Sequence, residues 1–243
     1  MIWALVPVKK IADAKQRLSD VLAMVERKAL FVAMLRDVLS TLRDHPSLER
    51  IFVVSADEEV RELACGCGAE FIDEAELGVK NLNEAVTAAA ECLEAMGADQ
   101  LLIIHGDLPL ISADALTAIM SSLNSLGRRG VVIGTDHLGQ GSNCLGVSPP
   151  SVIPFAYGEY SCYRHRQFAL ERQVPLVTTN LPALAQDIDS SDDLISLIES
   201  ANDGDAPHTF AYLRRSGLID NIGERYRLKD KNSAAGSNDL ECG

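Results

Sequence analysis

No stretch of this 243-residue chain approaches the roughly 20 consecutive apolar residues that a membrane-spanning helix needs. The opening "MIWALVPVKK" carries its charges after a short apolar run rather than before it, which argues against a secretory signal. A cytoplasmic location is therefore expected. Basic residues are scarce: 22 Lys and Arg against 35 Asp and Glu leave a net charge of −13. Such a surface repels nucleic acid and anionic membrane, so neither is expected as a partner, and an anionic ligand needs a local basic patch. Among the six cysteines only Cys65 and Cys67 lie close together, and no second pair completes a tetrahedral zinc set. Reduced thiols are the expected state. The glycines of a P-loop or of a dinucleotide fingerprint are also absent after the first strand, which gives no support to Walker-type hydrolysis or NAD binding.

What is present is an ordinary soluble composition, 47% hydrophobic and 23% charged, at a length suited to one sizeable domain. Short apolar, β-branched runs at 2–8, 51–55, 69–72, 101–105, 131–134, 144–148 and 175–179 read as strands. Between and after them, amphipathic patterns near 25–43, 57–68, 83–96, 112–123, 162–172 and 190–200 read as helices. This alternation predicts an α/β fold with a mostly parallel central sheet covered on both faces. A single domain is expected over 1–201. Beyond it, "HTFAYLRRSGLI" suggests one more helix, and "KDKNSAAGSNDLECG" has the polar, small-residue composition of a disordered tail.

Ligands of such sheets bind beyond the carboxyl ends of the strands. The first strand is followed by Lys9, Lys10, Lys15 and Arg17 against a single Asp13, a cation cluster suited to a di- or triphosphate or simply a solvated helix start. The fourth ends in "IIHGDLPLI", where Asp107 is either a strand-end turn former or a carboxylate with a cation to meet. Asp187 and Asp189 flank Ile188, so an extended segment turns both carboxylates one way, and two like charges that close favour a cation between them. Oxygen ligands without a His or Cys set point to Mg²⁺. The competing reading is an acidic helix N-terminus, which suits Asp192 and Asp193. The loops "GQGSN" (139–143) and "YGEYS" (157–161) read as common turns or, together, as an anion nest. His105 and His165 read as structural rather than catalytic.

Seven motifs, "VPVK…AKQRL", "VVSAD", "NLNEA", "GDLPLI", "GQGSN", "YGEYSCYRH" and "DIDSSDDL", run in the order found in one family. Over about residues 2–200 the chain resembles the CofC/FbiD guanylyltransferases of coenzyme F420 biosynthesis, a branch of the MobA-like nucleotidyltransferases. The resemblance implies a Rossmann-like three-layer αβα domain that uses Mg²⁺. Such an enzyme moves GMP from GTP onto the phosphate of 2-phospho-L-lactate, phosphoenolpyruvate or 3-phospho-D-glycerate and releases diphosphate. It further implies that Lys9, Lys15 and Arg17 hold the GTP phosphates, with Pro7, Leu82 and Asn83 near the nucleotide. Asp107, Asp187 and Asp189 would hold Mg²⁺, and Ser142, Asn143, Gly158 and Ser161 the acid substrate. The product would pass to a lactyl- or phospho-transferase of the same pathway, and a homodimer follows by analogy alone. Two departures stand out: Asn81 replaces a usual glycine before Leu82, and Ser142 replaces a usual threonine. The basic "SCYRH" segment suits a more highly charged acid such as 3-phosphoglycerate. A relative acting on another acceptor and a silent nucleotide-binding protein are the alternatives, and the retained Asp107, Asp187 and Asp189 argue against the second.

Overall fold

The computed structural model describes residues 1–226. Its elements are β1 (Ile2–Pro7), two 3-10 turns (Ile11–Asp13 and Gln16–Leu18), α1 (Met24–Asp44), β2 (Arg50–Ser55), α2 (Glu58–Gly66), β3 (Glu70–Asp73), α3 (Glu74–Leu77), α4 (Leu82–Ala95) and β4 (Gln100–Ile104). They continue with α5 (Ala113–Ser125), β5 (Gly130–Thr135), β6 (Ser142–Ser148), α6 (Ser161–Glu171), β7 (Leu176–Thr179), α7 (Pro182–Ala185), α8 (Ser191–Ser200) and α9 (Pro207–Arg215). A further helical stretch covers 218–226.

The seven strands form one sheet in the order β3-β2-β1-β4-β6-β5-β7. β6 runs antiparallel to both β4 and β5, and the other pairings are parallel. The expected mostly parallel sheet is thus present, with one reversed strand in its middle. Alternation along the central strands builds two separate cores. Ala4, Val6, Leu102 and Ile104 pack with α1, α2, α5, α8 and α9 on one face. Trp3, Leu5, Leu101 and Ile103 pack with α4 and α6 on the other. The Val, Leu and Ile side chains among them contribute about 1.5–3 kcal/mol each when fully buried, which is why β1 and β4 read as continuous hydrophobic runs.

The segment after residue 201 belongs to the first core. Phe210 and Leu213 of α9, with Leu218 and Ile222 beyond it, are buried there against α1. Asp37, itself buried in α1, ties the α9 N-terminus down. Its carboxylate accepts the backbone N–H groups of His208 and Thr209 at 2.8 Å and the Thr209 hydroxyl at 2.6 Å. The expected extra helix is present, and the tail beginning at "KDKN" lies outside the described residues.

From β1 the chain crosses to β2 and β3 on one side, then returns to lay β4 on the other side of β1. That reversal opens a crevice at the carboxyl ends of β1 and β4, where α/β sheets bind ligands. Among the described residues no helix is long and apolar enough to cross a membrane.

Candidate active site

The loop after β1 folds back over the crevice because three carboxylates from other elements hold it, Asp57 at Ile11 and Asp107 and Asp189 at Lys15. Asp57, the N-cap of α2, accepts Ile11 N–H at 2.8 Å with one carboxylate oxygen and Glu59 N–H at 3.0 Å with the other. Lys15 then adopts a left-handed backbone (φ 55°, ψ 43°), rare for a side chain other than glycine, Asn or Asp. This turn sends its ammonium inward. Lys15 Nζ lies 2.6 Å from Asp107 Oδ2 and 2.6 Å from Asp189 Oδ1, with only 4% of the side chain exposed. Arg17, 81% exposed, reaches Asp189 from outside at 4.0 Å.

Electrostatics explain how these charges coexist. Burial works against the charge on Lys15, but the Asp107 and Asp189 carboxylates outweigh it and raise its pKa. Burial likewise opposes ionisation of Asp107, and Lys15 more than offsets it, so that carboxyl is held below its usual range. Asp187 has no such cation. Burial, followed by the charge of Asp107, pushes its pKa up, and its Oδ1 accepts a 3.1 Å hydrogen bond from Asn143 Nδ2. The Asp187–Asp189 segment is docked on the β4 exit by Ile188 N–H, which donates to the Asp107 carbonyl at 3.2 Å. Among the described residues no three acidic, His or Cys side chains converge as a metal-binding set. Asp107 and Asp189 instead share Lys15, and Asp187 turns to Asn143.

Lys15, Arg17, Asp107 and Asp189 line a cleft of about 440 Å³ with Pro7, Lys9, Lys10, Leu82, His105, Tyr157 and Gly158, whereas Asp187 lines neither this cleft nor its neighbour. A neighbouring cleft of about 510 Å³ shares Lys9, Lys10, Leu82, Tyr157 and Gly158 and adds Ala56, Glu74, Lys80, Asn81 and Asn83. Asn83 works as a clamp. Its Oδ1 accepts Tyr157 N–H at 2.7 Å and its Nδ2 donates to the Tyr157 carbonyl at 3.4 Å, which holds Gly158 (φ 110°) at the boundary of the two clefts. Asn81 occupies the N-cap of α4 and accepts Glu84 N–H at 3.0 Å, so the departure from glycine supplies a helix cap.

Ser142, Asn143 and Ser161 line neither cleft; all three are buried. Ser142 and Asn143, read in the sequence as loop, are the first residues of β6. Ser142 N–H donates to Ser161 Oγ at 2.9 Å, and Asn143 Nδ2 also donates to the Leu184 carbonyl at 3.0 Å. His165 Nε2 accepts Ala156 N–H at 2.9 Å, so Nδ1 carries the ring proton and donates to Ser142 Oγ at 2.9 Å. Burial, then His105 and Arg164, lower the His165 pKa to about 4, so the ring is neutral at pH 7. The N–H groups of Gln140 and Gly141, read as part of an anion nest, are taken by the Asp136 carboxylate at 2.8 and 2.9 Å. Arg164 and Arg166 are exposed and line neither cleft.

Sequence reasoning did not single out Tyr157, whose ring stacks edge-on between His105 (4.9 Å) and His165 (5.2 Å). Its place beside Gly158 in "YGEYS" is the signal that was available. Lys10 belongs with Lys9, since both line both clefts.

Comparison with known proteins agrees with this geometry. The chain matches the family "Guanylyl transferase CofC like" over residues 2–230, past the point where the sequence motifs stop. It is 38% identical over 218 residues to a phosphoenolpyruvate guanylyltransferase of Roseiflexus, covering 89% of this chain and 94% of that one. It is 35% identical to the phosphoenolpyruvate guanylyltransferase of Conexibacter woesei, covering 88% and 95%. A 2-phospho-L-lactate guanylyltransferase of Methanothermobacter thermautotrophicus is 33% identical, with 87% and 89% covered. In fold, it resembles a structure described as a nucleotide-diphospho-sugar transferase from Desulfovibrio desulfuricans. That match has a TM-score of 0.73 at 18% identity and covers 92% and 97% of the two chains. A nucleotidyl transferase from Methanothermobacter gives a TM-score of 0.55 at 19% identity, covering 87% and 98%. A Rossmann-like sheet with a cationic loop and strand-end carboxylates at its switch point, matched over nearly its whole length, makes this chain a member of the CofC-like guanylyltransferase family of nucleotidyltransferases.

Proposed function

We propose that the chain transfers GMP from GTP to the phosphate of a phosphorylated three-carbon acid, with phosphoenolpyruvate the first candidate, and releases diphosphate. The observation that carries this reading is the cleft that sets Lys9, Lys10, Lys15 and Arg17 against Asp107 and Asp189. The choice of acid is supported by the names of the relatives, of which the Roseiflexus and Conexibacter proteins are both phosphoenolpyruvate guanylyltransferases.

The residues fit Mg²⁺. Asp107 Oδ1 is buried without a hydrogen-bond partner. Mg²⁺ is commonly held by one or two carboxylates together with substrate phosphates, so a complete protein cage is not required. Asp107 and Asp189 would hold the ion, with Asp187 close behind, and it would neutralise charge on the phosphates. Lys9, Lys10, Lys15 and Arg17 bind and orient the triphosphate. Gly158, without a side chain, lets the acid's phosphate approach its backbone, and Ser142, Ser161 and Asn143 support that wall from behind. An oxygen of the acid's phosphate bonds to the α-phosphorus of GTP, and the bond from that phosphorus to the bridging oxygen of diphosphate breaks. No protein nucleophile is needed, so catalysis is positioning and charge neutralisation. The mixed anhydride is the kind of activated donor that a transferase of coenzyme F420 biosynthesis would consume.

The test is diphosphate release from GTP and Mg²⁺ with each of the three acids, with a ligase present to trap the product. Turnover with phosphoenolpyruvate is expected. Silence with all three, where an authentic enzyme turns over, would exclude this acceptor class.

A further inference from the structure

The two clefts form one groove, since they share Lys9, Lys10, Leu82, Tyr157 and Gly158. One end holds Lys15, Arg17, Asp107 and Asp189 and is the phosphate end under the proposed function. Among the residues lining the other end, Glu74 is the single acid. Glu74 is half-buried at the start of α3 and makes no hydrogen bond or ion pair. Its neighbour Asp73 is already committed, to Arg61 at 2.7 Å and to Ala75 N–H at 2.8 Å. Both amide atoms of Asn83 are held by Tyr157, and Asn81 is held by the α4 cap. With Lys9 and Lys10 serving the triphosphate, the accessible charged side chains left at this end are the Glu74 carboxylate and the Lys80 ammonium, beside the apolar surfaces of Ala56 and Leu82.

A partly desolvated carboxylate would repel a triphosphate, so Glu74 marks the end where phosphate does not go. A flat base with two adjacent N–H donors and an acceptor edge satisfies both kinds of free group. Guanine offers N1–H and the 2-amino group to an acid, and O6 and N7 to a cation. Adenine places a lone pair at N1 and has no 2-amino group.

We propose that Glu74 determines nucleotide specificity by accepting guanine N1–H and the 2-amino group at this end of the groove. The inference rests on the GTP-dependent reading above and adds the residue that distinguishes GTP from ATP. Burial, and then the charge of Asp73, push the Glu74 pKa up, so the carboxylate lacks a stabilising partner until donors arrive. A site built to hydrogen-bond discriminates strongly because the wrong ligand leaves its groups unpaired.

Calorimetric titration with GDP, IDP and ADP, each with Mg²⁺, tests this without requiring turnover. The unsubstituted protein should prefer GDP to ADP by about tenfold or more, and IDP, which lacks the 2-amino group, should fall between. Glu74→Ala should weaken GDP by about tenfold while leaving ADP nearly unchanged, so the preference collapses. Glu74→Gln keeps one acceptor oxygen and the side-chain volume. It should lose part of the preference, and it carries the test if the Ala variant does not fold. An unchanged GDP-to-ADP ratio in the folded variants overturns the inference, as does an absence of guanine preference in the unsubstituted protein. If the unsubstituted protein binds no nucleotide at all, the guanylyltransferase reading falls with it. A protein that keeps its guanine preference without Glu74 overturns only the role of Glu74.

Discussion

Lys15 holds together charges that would otherwise destabilise the site. Removing its ammonium leaves the Asp107 carboxylate buried and uncompensated, a loss of the kind that costs about 3–5 kcal/mol when one partner of a buried pair is deleted. Lys15→Met should therefore lower stability by an amount of that order in urea unfolding. Mg²⁺ should then stabilise this variant more than the parent, because the ion and the ammonium neutralise the same carboxylates; equal gains would separate the metal from Asp107 and Asp189. His165 makes a prediction in pH. Its pKa is depressed to about 4 by burial, against about 6.5 in an unfolded chain, so between these values the unfolded state binds more protons. Its contribution to stability is complete above pH 6.5 and is lost as pH falls toward 4, a total on the order of 3 kcal/mol. His165→Phe should flatten that acid limb, and a limb of unchanged slope would assign it to other groups.

At the scale of elements, the Asp37 carboxylate is the clearest joint, because it collects three hydrogen bonds at the N-terminus of α9. Asp37→Ala should cost on the order of 3 kcal/mol and expose the segment after residue 201 to proteolysis well before the sheet unfolds. Retained protease resistance would mean that Phe210 and Leu213 hold α9 without the cap. Which elements were legible in the sequence follows from how local their signals are. β1 and β4 are buried on both faces, so their apolar runs declare a central parallel sheet. Ser112 and Ser190 cap α5 and α8 as their spacing suggests. The reversal of β6 has no local signature, because direction is set by neighbours in the sheet. The same is true of Ser142 and Asn143. Their polar character suggested a substrate loop, but the strand and its contacts with Ser161, His165 and Asp187 bury them. The cationic loop and the strand-end carboxylates were legible because charge at a strand's end is a sequence property. The insertion of Lys15 between Asp107 and Asp189 was not, since it depends on a left-handed turn at an ordinary lysine.

Across the whole molecule, a chain of net charge −13 must attract a highly charged anion. The long-range field opposes the nucleotide, so its binding free energy has to come from short-range contacts with the lysine loop and from any divalent cation that accompanies it. Ligand binding to the folded state alone should stabilise the fold by about 2.7 kcal/mol at a hundred times Kd. For a domain of this size that amounts to about 5–10 °C in Tm. With GDP and Mg²⁺ a rise in that range is expected by thermal unfolding. Replacing Mg²⁺ with a chelator at the same nucleotide concentration should remove most of it, because the diphosphate would then face Asp107 and Asp189 without a neutralising ion. Raising the salt concentration should erode the remaining gain further, since Arg17 and Lys9 are exposed and their attraction is screened. A Tm rise indifferent to the chelator would mean that Lys15 alone neutralises the acidic pair when nucleotide binds, and Mg²⁺ would drop out of the account of binding.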